Sequence, residues 1–331
     1  MENNVVKQII RSPLTIPSLD LDFAGTKELD SRITYTRSGN ATCIASNGSI
    51  QTVSANVPRF THDPATGESL GLLIEEARTN LIFNSGTLTG NQSITVSAIP
   101  YTVSFTGTGR IILEQVDGPM GAVALQGTGT GESNRVSLTF TPEAVPLVVR
   151  LEEGTVTNIQ LEAGSFKTSY IPTNGTAVTR SADVVQITGT NFSSWYNPTE
   201  GTVVASGIAA TASDSTFFTI DDNSLNNRIY LWHPTFSAAY GSVVTGGSSV
   251  ASPLVSGVGS KYTSAFSYKV NDFHISSGGV IGEIDTSGAI PSVDRIRFGC
   301  DSAGLKVLNG SIARLRYYRQ ALPNKLSTLS I

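Results

Sequence analysis

The sequence predicts an all-β chain: two consecutive β-sandwiches preceded by an N-terminal arm of short strands. Three observations carry that prediction. Charged residues make up only 15% of the 331 and Gly numbers 32, a Ser- and Thr-rich composition that suits short strands and turns better than long helices. Runs of alternating polar and apolar residues recur at spacings of about 8 to 12 residues. Gly, Pro, Asn and Asp clusters separate these runs. The length allows two or three domains with real cores on a prior of roughly 100 to 200 residues per domain. Composition excludes a coiled coil, and a net charge of −4 with a pI near 5.4 leaves no basic surface to gather phosphates, so nucleic acid is not an expected partner.

Taken in order, residues up to 83 hold strand-like pieces at Asp20 to Phe23, Arg32 to Thr36 and Ile50 to Val53, separated by turns at Gly25, Gly39-Asn40 and Asn47-Gly48. Too little contiguous apolar sequence is present for this segment to close a core alone, so it should lie against another domain or subunit. Leu72-Leu73-Ile74-Glu75-Glu76-Ala77-Arg78 predicts a short helix within Gly71 to Asn80, and a second is expected from Asn324 to Leu329. Seven or so short strands follow between Ser93 and Glu162, among them Tyr101-Thr102-Val103-Ser104-Phe105 and Arg135 to Phe140. They read as a small sandwich. The turn-rich stretch Pro172 to Arg180 marks the boundary to a second, larger sandwich. Its expected strands are Gly201 to Ile208, Thr216 to Ile220, Asn227 to Trp232, Ser264 to Val270, Arg295 to Gly299 and Ile312 to Tyr318.

Cys43 and Cys300 have no His or Cys at metal-ligand spacing, so both are expected as small buried hydrophobes. No apolar run of signal-peptide or membrane-spanning length occurs, so synthesis in a cytoplasm without membrane insertion is expected. Catalytic chemistry is sparse. His62, His233 and His274 are the three histidines, and no nucleophile elbow accompanies them. The adjacent acids Glu75-Glu76 and Glu152-Glu153 read as solvated faces. Glu283 and Asp285 form the nearest paired carboxylates, sharing a strand face at i and i+2, and are expected to be inert. The reading is therefore a non-enzyme. The loop Val244 to Ser249 has no Lys and no following helix, so it reads as a strand connection and not as a phosphate cradle.

Several motifs carry a family resemblance. They are Arg32-Ile33-Thr34-Tyr35-Thr36-Arg37 with Ala41-Thr42, then Ala55 to Pro64, then Gly71-Leu72-Leu73-Ile74-Glu75-Glu76-Ala77-Arg78-Thr79-Asn80-Leu81. This segment resembles one common in structural appendage proteins of tailed phages, of tail-fibre or head-fibre type. Gln160-Leu161-Glu162-Ala163-Gly164 and Thr168-Ser169-Tyr170-Ile171-Pro172 resemble the end of that family's small carbohydrate-binding-module-like sandwich. Arg180 to Asp183, Phe192 to Asn197, Glu200 to Thr202 and Gly310 to Tyr318 resemble a concanavalin/laminin-G-like sandwich. The resemblance implies jelly-roll or lectin-like folds, a virion location after synthesis in the host cytoplasm, a homotrimer, and contact with host-surface polysaccharide. It implies four parts: an arm at 1–20 for attachment to other virion proteins, a phage-type strand segment at 21–83 packing on other domains or subunits, a small sandwich at 84–172 and a large one at 173–331. A purely structural role in capsid decoration or fibre connection, without glycan binding, is the alternative.

Two candidate sites follow. Glycan recognition asks for aromatic faces beside planar polar groups, and Trp232-His233-Pro234 with Tyr230 and Tyr240 offers them. Trp195-Tyr196-Asn197 reads instead as packing. Asp221, Asp222 and Asn223 place hard oxygens in one loop, and two readings compete for it: a calcium ligand set, with Asp301 as a distant contributor, or Asx turns in a tight hairpin. No other cofactor is expected.

Overall fold

The computed structural model describes residues 15–115, 120–209, 214–235 and 237–331. Of the expected attachment arm, residues 1–14 lie outside the described residues. The chain is all-β, with two stacked-sheet units of unequal size. The smaller packs the sheet of Val123–Gln126, Arg110–Gln115, Leu147–Glu153 and Gln92–Ile94 against that of Val136–Phe140, Tyr101–Gly107 and Val156–Ala163. Val103, Phe105, Ile111, Leu113, Val149 and Leu161 are fully buried between them.

The larger unit has two eight-stranded sheets. One runs Val280–Asp285, Asp272–Ser277, Lys261–Lys269, Glu200–Ala209, Gly310–Tyr318, Ser69–Ile74, Phe60–His62, with Leu19–Asp22 also pairing Gly310–Tyr318. The other runs Thr34–Thr36, Val184–Thr188, Arg295–Phe298, Ser215–Asp221, Arg228–Thr235, Ala238–Thr245, Ser248–Ala251, with Leu254–Ser256 pairing Ala238–Thr245. Phe217, Phe218, Phe266, Tyr268, Phe298 and Tyr317 fill the space between.

The N-terminal strands therefore pair directly into the sheets of the large sandwich. Leu19 to Asp22 register with Tyr317 to Arg314, and Leu72 to Ile74 with Ile312 to Gly310. This accounts for the failure of the helix expected within Gly71 to Asn80, where the structure has strands Ser69–Ile74 and Arg78–Asn80. Leu72, Leu73 and Ile74 are buried in succession, the pattern of a strand covered on both faces, and tertiary pairing overrides helix propensity. Gly71, at φ +92°, lets the Ile312 carbonyl approach where a Cβ would collide with it. At the other end a short 3₁₀ turn, Pro323–Lys325, leads into the helix Leu326–Leu329. Arg78–Asn80 pairs with Val178–Arg180, so the small sandwich leaves and re-enters the larger unit through one antiparallel ribbon.

Beside that ribbon lies a buried ionic junction. Arg59 reaches Glu75 at 2.7 Å and also Asp183; Arg37 reaches Asp183 at 3.3 Å; Arg180 reaches Glu75. All five side chains are essentially closed to solvent. The Ser169 N–H and hydroxyl donate to Glu75 at 2.7 and 2.6 Å, Tyr35 donates to Asp183, and the Glu75 N–H donates to Asp183 at 2.9 Å. Further guanidinium donors go to the carbonyls of Thr42, Ser54 and Glu76, while Arg59 Nε and Arg180 Nε stay buried without a partner among the described residues. The expectation of a solvated Glu75-Glu76 face is thus corrected at Glu75, while Glu76 pairs with Arg78 at 2.6 Å. Burial alone raises the Glu75 carboxyl, but Arg180, Arg59 and Ser169 overcome it and hold it down at about 2.

Two outcomes follow from this architecture. A chain starting at Thr173 lacks Leu19–Asp22, Thr34–Thr36, Phe60–His62 and Ser69–Ile74, and is expected to lose its cooperative thermal transition in circular dichroism. A sharp transition matching the full chain would refute that dependence. Glu75, with a folded value near 2 against an ordinary 4.5, contributes stability that is complete above about pH 4.5 and lost as pH falls toward about 2, roughly 3 kcal/mol in all. Urea unfolding as a function of pH should show that slope. Glu75→Gln should flatten it and cost about 3–5 kcal/mol at neutral pH, because a guanidinium is left buried without its partner.

Candidate functional site: an aromatic row on the outer face of the large sandwich

The strand Arg228–Thr235 alternates strictly from Arg228 to Pro234: Ile229, Leu231 and His233 are buried, while Arg228, Tyr230, Trp232 and Pro234 are half-exposed. Its neighbour Ala238–Thr245 sets Tyr240 directly opposite Trp232. Three aromatic rings consequently share the outer face. Trp232 and Tyr240 stack with centroids 5.3 Å apart and planes at 29°, and Tyr230 lies 6.5 Å from Trp232. The Trp232 indole N–H donates to the Ser242 hydroxyl at 3.2 Å, and Ser242 lies 2.9 Å from the Ser252 hydroxyl, which fixes the ring's tilt. Two of the rings carry a cation: the Arg228 guanidinium lies 4.6 Å from the Tyr230 centroid and the Lys306 ammonium 4.6 Å from that of Trp232.

The structure brings three of the four expected glycan residues together and sends the fourth inward. His233 is 1% exposed, stacked 4.0 Å from Tyr262 and 5.6 Å from Phe217. Desolvation pushes its pKa down to about 3, so the imidazole is neutral and out of a ligand's reach. The cause is the period-2 alternation of the strand: the neighbour of an outward Trp232 must face the core. Arg228 and Lys306 were absent from the expected site. Arg228 could have been found from the same alternation, but Lys306 arrives from a distant loop and left no signal in the sequence.

The acidic loop is built from Asx turns and arginine contacts. Asp221 is fully buried, accepting from the Asn223 N–H at 2.7 Å and from Arg297 Nε at 3.0 Å. Asp222 accepts from the Ser224 N–H and hydroxyl and from Asn227 at 2.8 Å. The Asn223 side-chain oxygen accepts from Arg295 and Arg297. Asp221 and Asn223 thus share Arg295 and Arg297, Asp221 and Asp222 each close an Asx turn, and Asp301 caps its own loop through the N–H groups of Ala303 and Leu305. Among the described residues, no group of three or more His, Cys, Asp or Glu is placed to hold a metal.

Other expected residues are accounted for by packing and turns. Trp195 lies 4.9 Å from both Phe192 and Tyr317 and is 1% exposed. Cys43 is buried and Cys300 half-buried, both as free thiols. His62 bonds the Ile44 carbonyl at 2.9 Å, and half-buried His274 bonds Asp272 at 2.6 Å. Glu283 and Asp285 do not share a regular face. Pairing with Asp272–Ser277 shifts between His274 and Ser276, so a bulge interrupts the alternation, and Asp285 accepts from the Ser287 N–H at 3.0 Å.

A cleft of about 320 Å³ between the sandwiches is a rival location, bordered by Cys43, Leu73, Arg135 and Tyr170. Its polar groups are already paired: Arg135 with Glu132 at 2.7 Å, and Tyr170 with Ser85 at 2.7 Å. The aromatic row, by contrast, keeps ring faces and cations open to solvent.

No family model and no curated protein matches the chain. Similar solved structures include the CBM40 module of a Ruminococcus gnavus IT-sialidase bound to alpha2,3 sialyllactose, at 16% identity over 40% of this chain and 83% of that one, with a TM-score of 0.34. A heptameric SAP-like pentraxin from Limulus polyphemus is 9% identical over 77% of this chain and 81% of its own, with a TM-score of 0.30. Domains LG4-5 of the mouse laminin alpha1 chain are 10% identical over 77% and 91%, with a TM-score of 0.30. At this level of similarity the chain's own geometry carries the functional argument.

Opposite faces of one strand should respond differently to truncation. Trp232→Ala is expected to cost no more than about 1 kcal/mol, since the ring is half-exposed. His233→Ala, which empties a core position, should cost about 2–4 kcal/mol. Urea denaturation of the two variants checks this, and equal losses would contradict the assignment of faces.

Proposed function

We propose that this chain is a virion appendage protein of a tailed phage that binds host-surface glycan through the row Tyr230, Trp232 and Tyr240, without catalysing a reaction on it. The observation that carries the binding reading is the row itself: two stacked rings and a third, half-exposed on a flat sheet face that the core does not need. Sugar C–H faces pack on such rings while hydroxyls meet the neighbouring polar groups. The virion reading is supported by the motif residues Arg37, Arg59, Glu75, Ser169, Arg180 and Asp183, which this fold spends on its junction. In a homotrimer the row would be presented three times, so weak single sites would gain by avidity.

A second reading, a fibre connector or capsid decoration, draws on a separate observation. The edge strand Val280–Asp285 exposes Val280, Ile281 and Ile284, each close to half of its surface or more. Open apolar edges invite a covering neighbour.

Adsorption of the full chain to host envelope polysaccharide tests the first reading. Trp232→Ala is expected to weaken it about ten-fold or more, equivalent to roughly 1.4 kcal/mol per site, while the melting transition remains. Undiminished adsorption by that variant would remove the row from the binding site.

A further inference from the structure

We infer that the aromatic row selects acidic glycans, polymers whose sugars carry carboxylates; this rests on the glycan-binding reading of the same face. The reason is the imbalance between donors and acceptors around the rings. Half-exposed Arg228 has no carboxylate within ion-pair distance among the described residues, while its Nε is itself closed to solvent and unpartnered there. Its cross-strand neighbour Asp221 is fully buried, with both oxygens engaged by Asn223, Arg295 and Arg297. Asp222, the next acid along, is held by Ser224 and Asn227. Arg228 therefore carries a guanidinium charge that no carboxylate of the described residues neutralises, and carboxylates are the anions that guanidinium groups pair with.

Over Trp232, Lys306 is exposed and paired with Asp214 at 3.3 Å, itself 59% exposed. Such a surface pair has little net strength and separates readily. Among the described residues, Asp214 is the one solvent-open carboxylate in contact with the row's cations, so neutral hydroxyls find few acceptors here, whereas an anionic chain finds cations beside Tyr230 and Trp232. Arg228 and Trp232 are four residues apart on one strand, about 13 Å, a span that a short oligosaccharide can cover.

The test compares three carboxylated polymers, polygalacturonate, alginate and hyaluronate, each beside its carboxyl-reduced neutral form, for binding to the full chain. At least one acidic polymer is expected to bind about ten-fold more tightly than its reduced form at low salt, with the ratio shrinking as salt is raised. Arg228→Gln and Lys306→Gln should each bring that ratio toward one, and the melting transition of each variant reports that it is folded. Equal binding of acidic and reduced forms, no binding of any acidic polymer, or a ratio untouched in both variants would each overturn the selectivity. Binding of neutral polymers that Trp232→Ala abolishes would, in those cases, leave the glycan-binding reading standing. Trp232-independent binding of every polymer would remove both.

Discussion

Three arginines and two carboxylates buried at one point, Arg37, Arg59 and Arg180 with Glu75 and Asp183, govern how this chain is assembled. Desolvating five charges costs several kcal/mol per ion, and only close pairing with nearly complete hydrogen bonding offsets that cost. The offset requires four stretches of sequence to arrive together: the strand end at Tyr35 to Arg37, the segment from Arg59 to Glu75, the loop at Ser169, and Arg180 to Asp183. An apolar contact tolerates sliding. A guanidinium that must meet two carboxylates does not, so the junction sets register between the N-terminal segment, the small sandwich and the large one.

That register extends to the aromatic row. Asp183 directly precedes Val184–Thr188, which pairs with Arg295–Phe298, then Ser215–Asp221, then Arg228–Thr235. Three strand spacings, roughly 14 Å, separate the junction from the strand that carries Tyr230 and Trp232. Along the way the outer face stays polar, with Arg295 and Arg297 over the buried Asp221. The inner face of the same strands is mostly apolar, with Ile187, Ile296, Phe218, Ile220, Ile229 and Leu231. The row is thus displayed by a sheet whose other face is locked in the core. The three rings need no hinge or loop to hold them on one face.

Much of this was legible in the sequence, because alternation and turn residues are local signals. Strands such as Arg228–Thr235 and Gly310–Tyr318 fall where the pattern placed them. What the pattern concealed depends on distant partners. Glu75 stands beside Glu76 in a stretch of good helix formers, and nothing nearby reveals that Arg59, Ser169 and Arg180 will enclose it, the last of these 105 residues away. Likewise the open strands at Leu19–Asp22 and Ser69–Ile74 look orphaned until Gly310–Tyr318 arrives to pair with both. His233 is the opposite case. Its inward position followed from alternation alone, and grouping it with Trp232 set composition above geometry. The acidic loop shows a further limit: clustered oxygens in sequence do not name their partners, and here Arg295 and Arg297, more than 70 residues away, bind both Asp221 and Asn223.

The two functional readings draw on different surfaces, and so they do not compete for the same residues. The aromatic row belongs to the outer face of the sheet that runs from Thr34–Thr36 to Ser248–Ala251, whereas the apolar edge at Val280–Asp285 ends the other sheet. An edge strand offers unpaired backbone groups as well as exposed Val280, Ile281 and Ile284, features that suit a protein neighbour. A ring face flanked by cations suits a hydrated, planar ligand and offers a protein strand nothing to pair with. A subunit built this way can be covered along one edge while its aromatic face stays in water. Removing an apolar side chain from the edge acts on assembly, and removing a ring acts on ligand, although the two surfaces meet where Ser252 links Asp285 to Ser242 and so to Trp232.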